Sequence, residues 1–560
     1  MSFCISKDGV NFTLECDSLT KNGDLYELNI KGNVPVPSLI KGDRLLLPID
    51  EGVALSADGE YEKADLDFNN LSSPFCNREA TMGMFIIERD NKFLLIAIKD
   101  CANSAYSLTK KGGLFSLSVT NAEPVSVYYG VFDNLLSACK AYRNIKNPNA
   151  IPLSEKLKNN PNIENLIGGG IFWIWNDNYD EVMYSPNNTF LSAATGEDLL
   201  KVCGELKTNG INKAMIGIFF EKDSKYVEPI YKNFGYIATQ YDNYNDCLNP
   251  ALLDLVPSNR ARNCDYTARR MKDYPQGVRR DKNGNPVNAW ALKGFDGKMY
   301  NQNQLCPAVA RDRMKTEVAE ILKQYPYYKG RFIDVYGTSL ADCFDENHPI
   351  TLKECICVKS QAFNNLTDMG LIAGTEDGFD DIIDSLVYSE GMHSPAPFRI
   401  INSGRRHANM FNETEQAFAQ KQMLNPALRV PLWQMVYHEC LITYSYWGDS
   451  TDDSVKQVDD KILFACLFGC PPIYSFSMSD FETVKPLIIK SYKKISEVHS
   501  KVALLPITEY TVLKDDYSLQ TTVFGNEYRV VANFANEPAE YLGTTIAPKD
   551  ILFIKIQKAE

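Results

Sequence analysis

An unpaired carboxylate buried in an apolar strand is costly, so acids that interrupt such strands mark positions where a partner or a reaction must compensate. Three stand out: Asp242 after Ile237-Ala-Thr-Gln-Tyr, Asp334 within Arg331-Phe-Ile-Asp-Val-Tyr, and Glu376 after Leu371-Ile-Ala-Gly-Thr. Asp334 and Glu376 are separated by one strand-helix-strand step, which lets both converge on one cleft. Two carboxylates in one cleft suit glycoside hydrolysis, with one ionised to attack the anomeric carbon and one protonated to serve the leaving oxygen. Each acid alone has a plainer reading. Asp334 could be satisfied by backbone amides or an arginine, and Glu376 could be a first-turn helix residue favoured by the macrodipole.

The aromatic residues fit the same chemistry. All five tryptophans, Trp173, Trp175, Trp290, Trp433 and Trp447, fall in the central part of the chain. Sugar rings stack on indole, although large aromatics also fill large cores. Trp175 and Trp447 are the stronger ligand candidates, because Asp177 and Asp449 follow them closely. Tyr241, Trp290, Tyr336 and Asp449 join Asp242 as candidate substrate contacts. His438 ends the strand-like run Val430-Pro-Leu-Trp-Gln-Met-Val-Tyr-His; it is read either as a substrate contact or as a satisfied structural histidine.

With five histidines, no HExxH pair and cysteines scattered without CxxC spacing, no metal site and no cofactor are expected. Asp449-Ser-Thr-Asp-Asp reads as a solvated acidic loop at a helix start rather than a calcium site. No Gly-x-Ser-x-Gly elbow points to a serine hydrolase.

The elements that must hold these side chains follow from hydrophobic periodicity. Residues 1–150 carry short period-2 segments such as Gly83-Met-Phe-Ile-Ile-Glu, which predicts an N-terminal β-sandwich. From 151 to 500, apolar strands (Ile171–Trp175, Ala214–Phe220, Tyr236–Tyr241, Arg331–Tyr336, Leu371–Thr375, Pro472–Phe476) alternate with helical segments (Glu197–Lys207, Arg311–Gln324, Leu352–Asp368). Such alternation without a phosphate-binding glycine loop predicts an α/β fold, a (β/α)8 TIM barrel. Residues 501–560 return to short strands, a small C-terminal β-domain.

Composition narrows the function class. The 560 residues carry a net charge of −13 with no basic cluster, which argues against a nucleic-acid partner. No apolar run reaches the roughly 18 residues of a membrane helix. The start of the chain lacks a signal-peptide pattern and the fifteen cysteines read as free thiols, so a cytoplasmic protein is expected. Oligomeric state is not encoded in any pattern here.

Phe332-Ile-Asp-Val-Tyr, Gly374-Thr-Glu-Asp-Gly, Val430-Pro-Leu-Trp-Gln-Met-Val-Tyr-His-Glu-Cys and Tyr446-Trp-Gly-Asp together resemble the retaining α-N-acetylgalactosaminidase-type glycosidases, both the endo-acting mucin enzymes and their intracellular exo-acting relatives. The resemblance spans roughly residues 165–480 and implies a barrel between β-domains. It implies Asp334 as nucleophile, Glu376 as general acid/base and Asp242 as an acidic substrate-binding residue. The secreted mucin enzymes carry accessory domains that this sequence lacks, so the expectation is exo action on a terminal α-linked sugar, N-acetylgalactosamine in the first instance, of an oligosaccharide or glycoconjugate. An α-galactosidase, an α-glucosidase and a catalytically silent carbohydrate-binding barrel are the alternatives. The silent barrel would not need both acids.

Overall fold

The computed structural model describes residues 2–64, 66–175, 194–256, 269–394, 413–446, 449–452 and 455–557. At its centre eight parallel strands follow one another in space: β1 (Gly170–Trp175), β2 (Ala214–Ile218), β3 (Ile237–Asn243), β4 (Gly330–Asp334), β5 (Ile372–Glu376), β6 (Tyr388–Glu390), β7 (Ile442–Tyr444) and β8 (Ile473–Ser477). β8 pairs with β1, and the Thr451 N–H reaches the Ile473 carbonyl at 2.9 Å across the β7–β8 seam. This is the expected (β/α)8 barrel. The helices around it include α1 (Gly196–Thr208), α2 (Pro307–Gln324), α3 (Leu352–Asp368), α4 (Leu432–Tyr437), α5 (Val458–Phe468) and α6 (Phe481–Val502).

Local sequence sets the helix boundaries. Thr195 with Asp198 and Thr351 with Glu354 form capping boxes at the starts of α1 and α3. Pro307 occupies the first turn of α2, where its missing N–H costs nothing, and Gly469 ends α5 in a left-handed conformation. The run before His438 is helix α4 rather than the strand expected from its apolar density; a short apolar run fits a buried helix as well as a strand.

Period-2 alternation decides which side chains face the barrel interior. Ile171, Trp173, Met215, Ile237, Phe332, Ile372, Tyr388, Ile442, Tyr444 and Ile473 fill it. Phe172, Ile174, Ile216, Ala238, Ile333 and Ala373 face the helices. Two inward-facing glycines make room for the largest rings: a Cβ on Gly217 would stand 2.0 Å from the Trp173 indole, and one on Gly374 2.0 Å from the Tyr388 ring.

Antiparallel sheets flank the barrel on both sides in sequence. The N-terminal sheet is organised by a 19-residue strand, Leu114–Phe132, which pairs with three others. The C-terminal one has four strands between Ile507 and Lys555. Glu51 of the N-terminal unit is buried against the barrel, bonded to Arg429 at 2.5 Å and to His393 Nδ1 at 2.7 Å. Nearby, the segment around Arg78 bridges Asn77 to Ser339 beyond β4, and Thr81 accepts from the Asp380 N–H beyond β5. The N-terminal unit therefore touches the rim where β4 and β5 end.

Candidate active site

Three neighbouring strands end in a row of carboxylates. Ile333 pairs with Thr375, so Asp334 and Glu376 follow at the same level, and Glu376 pairs with Glu390 at the end of β6. Alternation turns Phe332 and Asp334 inward on β4 and Ile372, Gly374 and Glu376 inward on β5, and the two carboxyl groups come close enough to shift each other's titration. Immediately after each acid the backbone adopts a left-handed conformation, Val335 at φ 49° and Asp377 at φ 49°. For a β-branched valine this is a strained geometry, of the kind found where a fold fixes a functional side chain.

Donors surround the row. The Tyr241 hydroxyl, inward on β3, donates to Asp334 Oδ2 at 2.5 Å, and Asn243, two residues on, stands 3.4 Å from the same oxygen. The Trp173 indole N–H is shared between the two oxygens of the fully buried Glu390, at 3.1 and 3.0 Å. Tyr446 hydrogen-bonds Glu376, and the positive charge of Arg78 acts on it from the N-terminal unit.

These surroundings separate the two acids. Burial raises Glu376 to about 8, and the Asp334 charge adds to the rise, against the Tyr446 bond and Arg78. Burial likewise lifts Asp334, to about 7, against the Tyr241 bond; the charges of Asp246 and Glu390 push it further. Glu376 therefore binds a proton before Asp334. A nucleophilic role alone would have Asp334 held low by its donors, and here desolvation outweighs them.

Other predicted residues fall in different places. Trp175 faces inward with its ring 4.3 Å from Phe219, which in turn contacts Tyr241. Its indole N–H donates to Ser475. Trp290 is half exposed on a three-stranded insertion between β3 and α2, on the side of the barrel where the βα loops lie. Asp242 points the other way from Tyr241 and Asn243. It is buried in an ion pair with Arg331 at 2.6 Å, Arg269 stands 3.6 Å away, and these cations with Arg270 hold it below the ordinary carboxylate range against the opposing effect of burial. Tyr336 also faces the helices, donating to the Pro307 carbonyl at 3.0 Å beneath the Lys359 ammonium.

His438 ends α4 with both ring nitrogens against backbone carbonyls, Leu505 at 2.7 Å and Gly469 at 3.0 Å, and packs on Phe524. It joins the C-terminal sheet to the barrel and does not face the acids. Asp449 is buried rather than solvated, with Ser394 donating to it. Trp447 and Asp177 lie outside the described residues.

Four contributors were not singled out from sequence: Asn243, Glu390, Tyr446 and Arg78. Asn243 was within reach, because it shares the face of Tyr241 at i+2. Glu390 ends a strand of three residues, too short for periodicity to register. Arg78 comes from another unit of the chain.

Comparison with known proteins identifies the family and the fold. The model of the glycosyl hydrolases related to the GH101 family, GH129, matches residues 205–403 and 405–523, more than half of the chain. The chain belongs to glycoside hydrolase family 129. No curated protein matches it. Among solved structures, the ligand-free α-N-acetylgalactosaminidase NagBb from Bifidobacterium bifidum superposes with a TM-score of 0.69 at 16% identity, over 97% of this chain and 90% of that one. The GalNAc complex of NagBb gives 0.67 at 15% identity, over 98% and 97%. A GH36 α-galactosidase, AgaB from Geobacillus stearothermophilus, gives 0.51 at 9% identity, over 90% and 67%. All three share the fold. Among the described residues no helix is long and apolar enough to cross a membrane.

Proposed function

We infer that this glycoside hydrolase is a retaining, exo-acting α-glycosidase with Asp334 as nucleophile and Glu376 as general acid/base. The observation that carries the reading is the convergence of the two inward carboxyl groups on the ends of directly paired strands, close enough for each to shift the other's titration. Retaining pairs lie about 5–5.5 Å apart, whereas inverting pairs stand about 6.5–9.5 Å apart to admit a water between them. Carboxyls that follow one another at the same level on neighbouring strands favour the first.

The proton order supports the roles. In the reacting state Glu376 carries the proton and Asp334 is ionised. Asp334 attacks the anomeric carbon while Glu376 protonates the departing oxygen, giving a β-linked glycosyl-enzyme. Glu376, now a carboxylate, takes a proton from water as that water attacks, and the second inversion restores the α configuration. Trp175 and Trp290 are assigned as aromatic contacts of the sugar, and Glu390 as a fixed negative charge beneath the cationic transition state.

The sugar assigned is a terminal α-linked N-acetylgalactosamine of an oligosaccharide or glycopeptide. The full-length similarity to NagBb, whose structures include a GalNAc complex, supports it. The free thiols of the described residues suit a reducing, cytoplasmic setting for it. An α-galactosidase is the second reading, favoured by the fold shared with AgaB. A panel of 4-nitrophenyl α-glycosides differing only in the sugar decides between them. The first reading expects the N-acetylgalactosaminide to have the highest kcat/KM, and preference for the plain galactoside overturns it.

A further inference from the structure

Away from the carboxylates, two cysteines and a histidine meet where three segments cross. Cys306 is the residue before α2, backed by its 18-residue helix. Cys343 and His348 lie in the segment 335–351 that leaves Asp334, which folds back on itself through reciprocal Cys343–Ile350 backbone bonds of 2.8 and 3.0 Å. The third segment, 276–280, contributes backbone. The Gly277 carbonyl accepts from the Cys306 N–H at 2.9 Å, and the Arg280 carbonyl accepts from the Phe344 N–H at 3.0 Å.

The ligating atoms of Cys306, Cys343 and His348 all lie within 4.8 Å of one another, and both cysteines are buried. His348 Nδ1 is 3.4 Å from Cys343 Sγ. Tetrahedral zinc, with bonds of about 2.3 Å to sulfur and about 2.0–2.1 Å to nitrogen, sets those atoms about 3.6 Å apart. The histidine is oriented as a ligand is. Its Nε2 stands 2.7 Å from the Gln276 carbonyl oxygen, which places the ring proton there and leaves the Nδ1 lone pair toward the thiols. A pair of cysteines destined only for a disulfide would have no use for that arrangement.

We propose that Cys306, Cys343 and His348 form a site for a thiophilic divalent cation, zinc first, which ties the start of α2 to the loop leaving Asp334 and takes water as its fourth ligand. Two thiolates and an imidazole are soft enough to select zinc over calcium or magnesium. Binding expels the protons of the thiols. Cys306 stands at the N-terminal end of α2, which favours a thiolate there. The other thiol trio, Cys76, Cys101 and Asp381, offers no imidazole, and Lys146 already pairs with Asp381 at 2.6 Å.

The test uses the full chain, reduced, stripped with a chelator and titrated anaerobically with cobalt(II). One equivalent is expected to produce a thiolate-to-cobalt charge-transfer band and tetrahedral d–d bands, which zinc then abolishes by displacement. Cys343→Ser should remove the charge-transfer band and weaken cobalt binding by more than the 10–100-fold typical of losing an outer-shell partner, whereas Cys357→Ser, at an exposed thiol on α3, should retain it. Zinc-edge X-ray absorption on the wild-type chain, which does not depend on a variant folding, should show two sulfurs at about 2.3 Å and one nitrogen at about 2.0–2.1 Å. Any one of three results overturns the proposal: no band in reduced wild type, a band that survives Cys343→Ser, or an intact mass two hydrogens light with Cys306 and Cys343 joined.

Discussion

Tyr241→Phe isolates one hydrogen bond to the proposed nucleophile while leaving the inward aromatic surface in place. The wild-type hydroxyl donates to Asp334 Oδ2 at 2.5 Å and stabilises the ionised form. A hydrogen bond to a charged group is worth about 1.5–3 kcal/mol. At about 1.4 kcal/mol per pH unit, its loss should raise the acid limb of kcat/KM by about one to two pH units. The sign is fixed, since removing a donor to a carboxylate makes it harder to ionise. Asp334 starts at about 7, so at pH 7 the ionised fraction should fall from about one half to between one tenth and one hundredth, and kcat/KM by about 5- to 50-fold. A dinitrophenyl α-glycoside, whose leaving group needs little protonation, keeps Glu376 out of the profile. The assay is therefore the pH dependence of kcat/KM on that substrate, wild type against variant. A loss of the same factor at every pH, with the acid limb unmoved, would refute the claim that Tyr241 acts by holding the Asp334 charge.

Other perturbations test the same contacts. Glu390→Gln removes a negative charge that pushes Asp334 up, so the acid limb should move to lower pH; a limb that stays or rises contradicts the placement. Arg331→Met leaves Asp242 buried without its 2.6 Å partner, and urea unfolding should show a loss approaching the 3–5 kcal/mol of a broken buried pair, moderated by Arg269 at 3.6 Å. Because Asp242 is held below its ordinary range, it stabilises the fold above the unfolded value of about 3.9 and loses that contribution as pH falls through the lower folded one. The wild-type urea midpoint should drop on acidification in that window, and the Arg331 variant should lose less. His438→Gln should lower Tm by loosening the C-terminal sheet, with KM unchanged; a raised KM at constant Tm would return His438 to the site.

Asp334 and Glu376 were legible in sequence because each interrupts an apolar run at a strand end, where few residue types survive burial without a reason. The same rule selected Asp242, which is acidic and more deeply buried, yet its reason is Arg331 on the opposite face of the sheet. Telling those two cases apart requires the parity of the strand. Tyr241, Asn243 and Asp334 share the inward face while Asp242 and Arg331 share the outward one, and a boundary error of one residue exchanges the sets. Tyr336 was misplaced for a related reason: β4 ends at Asp334, and the left-handed turn at Val335 redirects the chain toward the helix layer. The barrel itself was readable from alternating strand and helix patterns. Arg78 and the Cys306, Cys343 and His348 trio were not, since distant segments meet there only through the folded loops and no local spacing records it.

The most direct test of the central claim is to trap the covalent intermediate. Glu376→Gln, given a dinitrophenyl 2-acetamido-2-deoxy-α-galactoside, should still form the glycosyl-enzyme but hydrolyse it slowly, so the adduct should accumulate. Rapid quench, proteolysis and tandem mass spectrometry should then place one sugar on Asp334. A sugar on Glu390 or any other residue, or no adduct together with a first-formed product of β configuration from the wild-type enzyme, would contradict the assignment of Asp334 as nucleophile of a retaining mechanism.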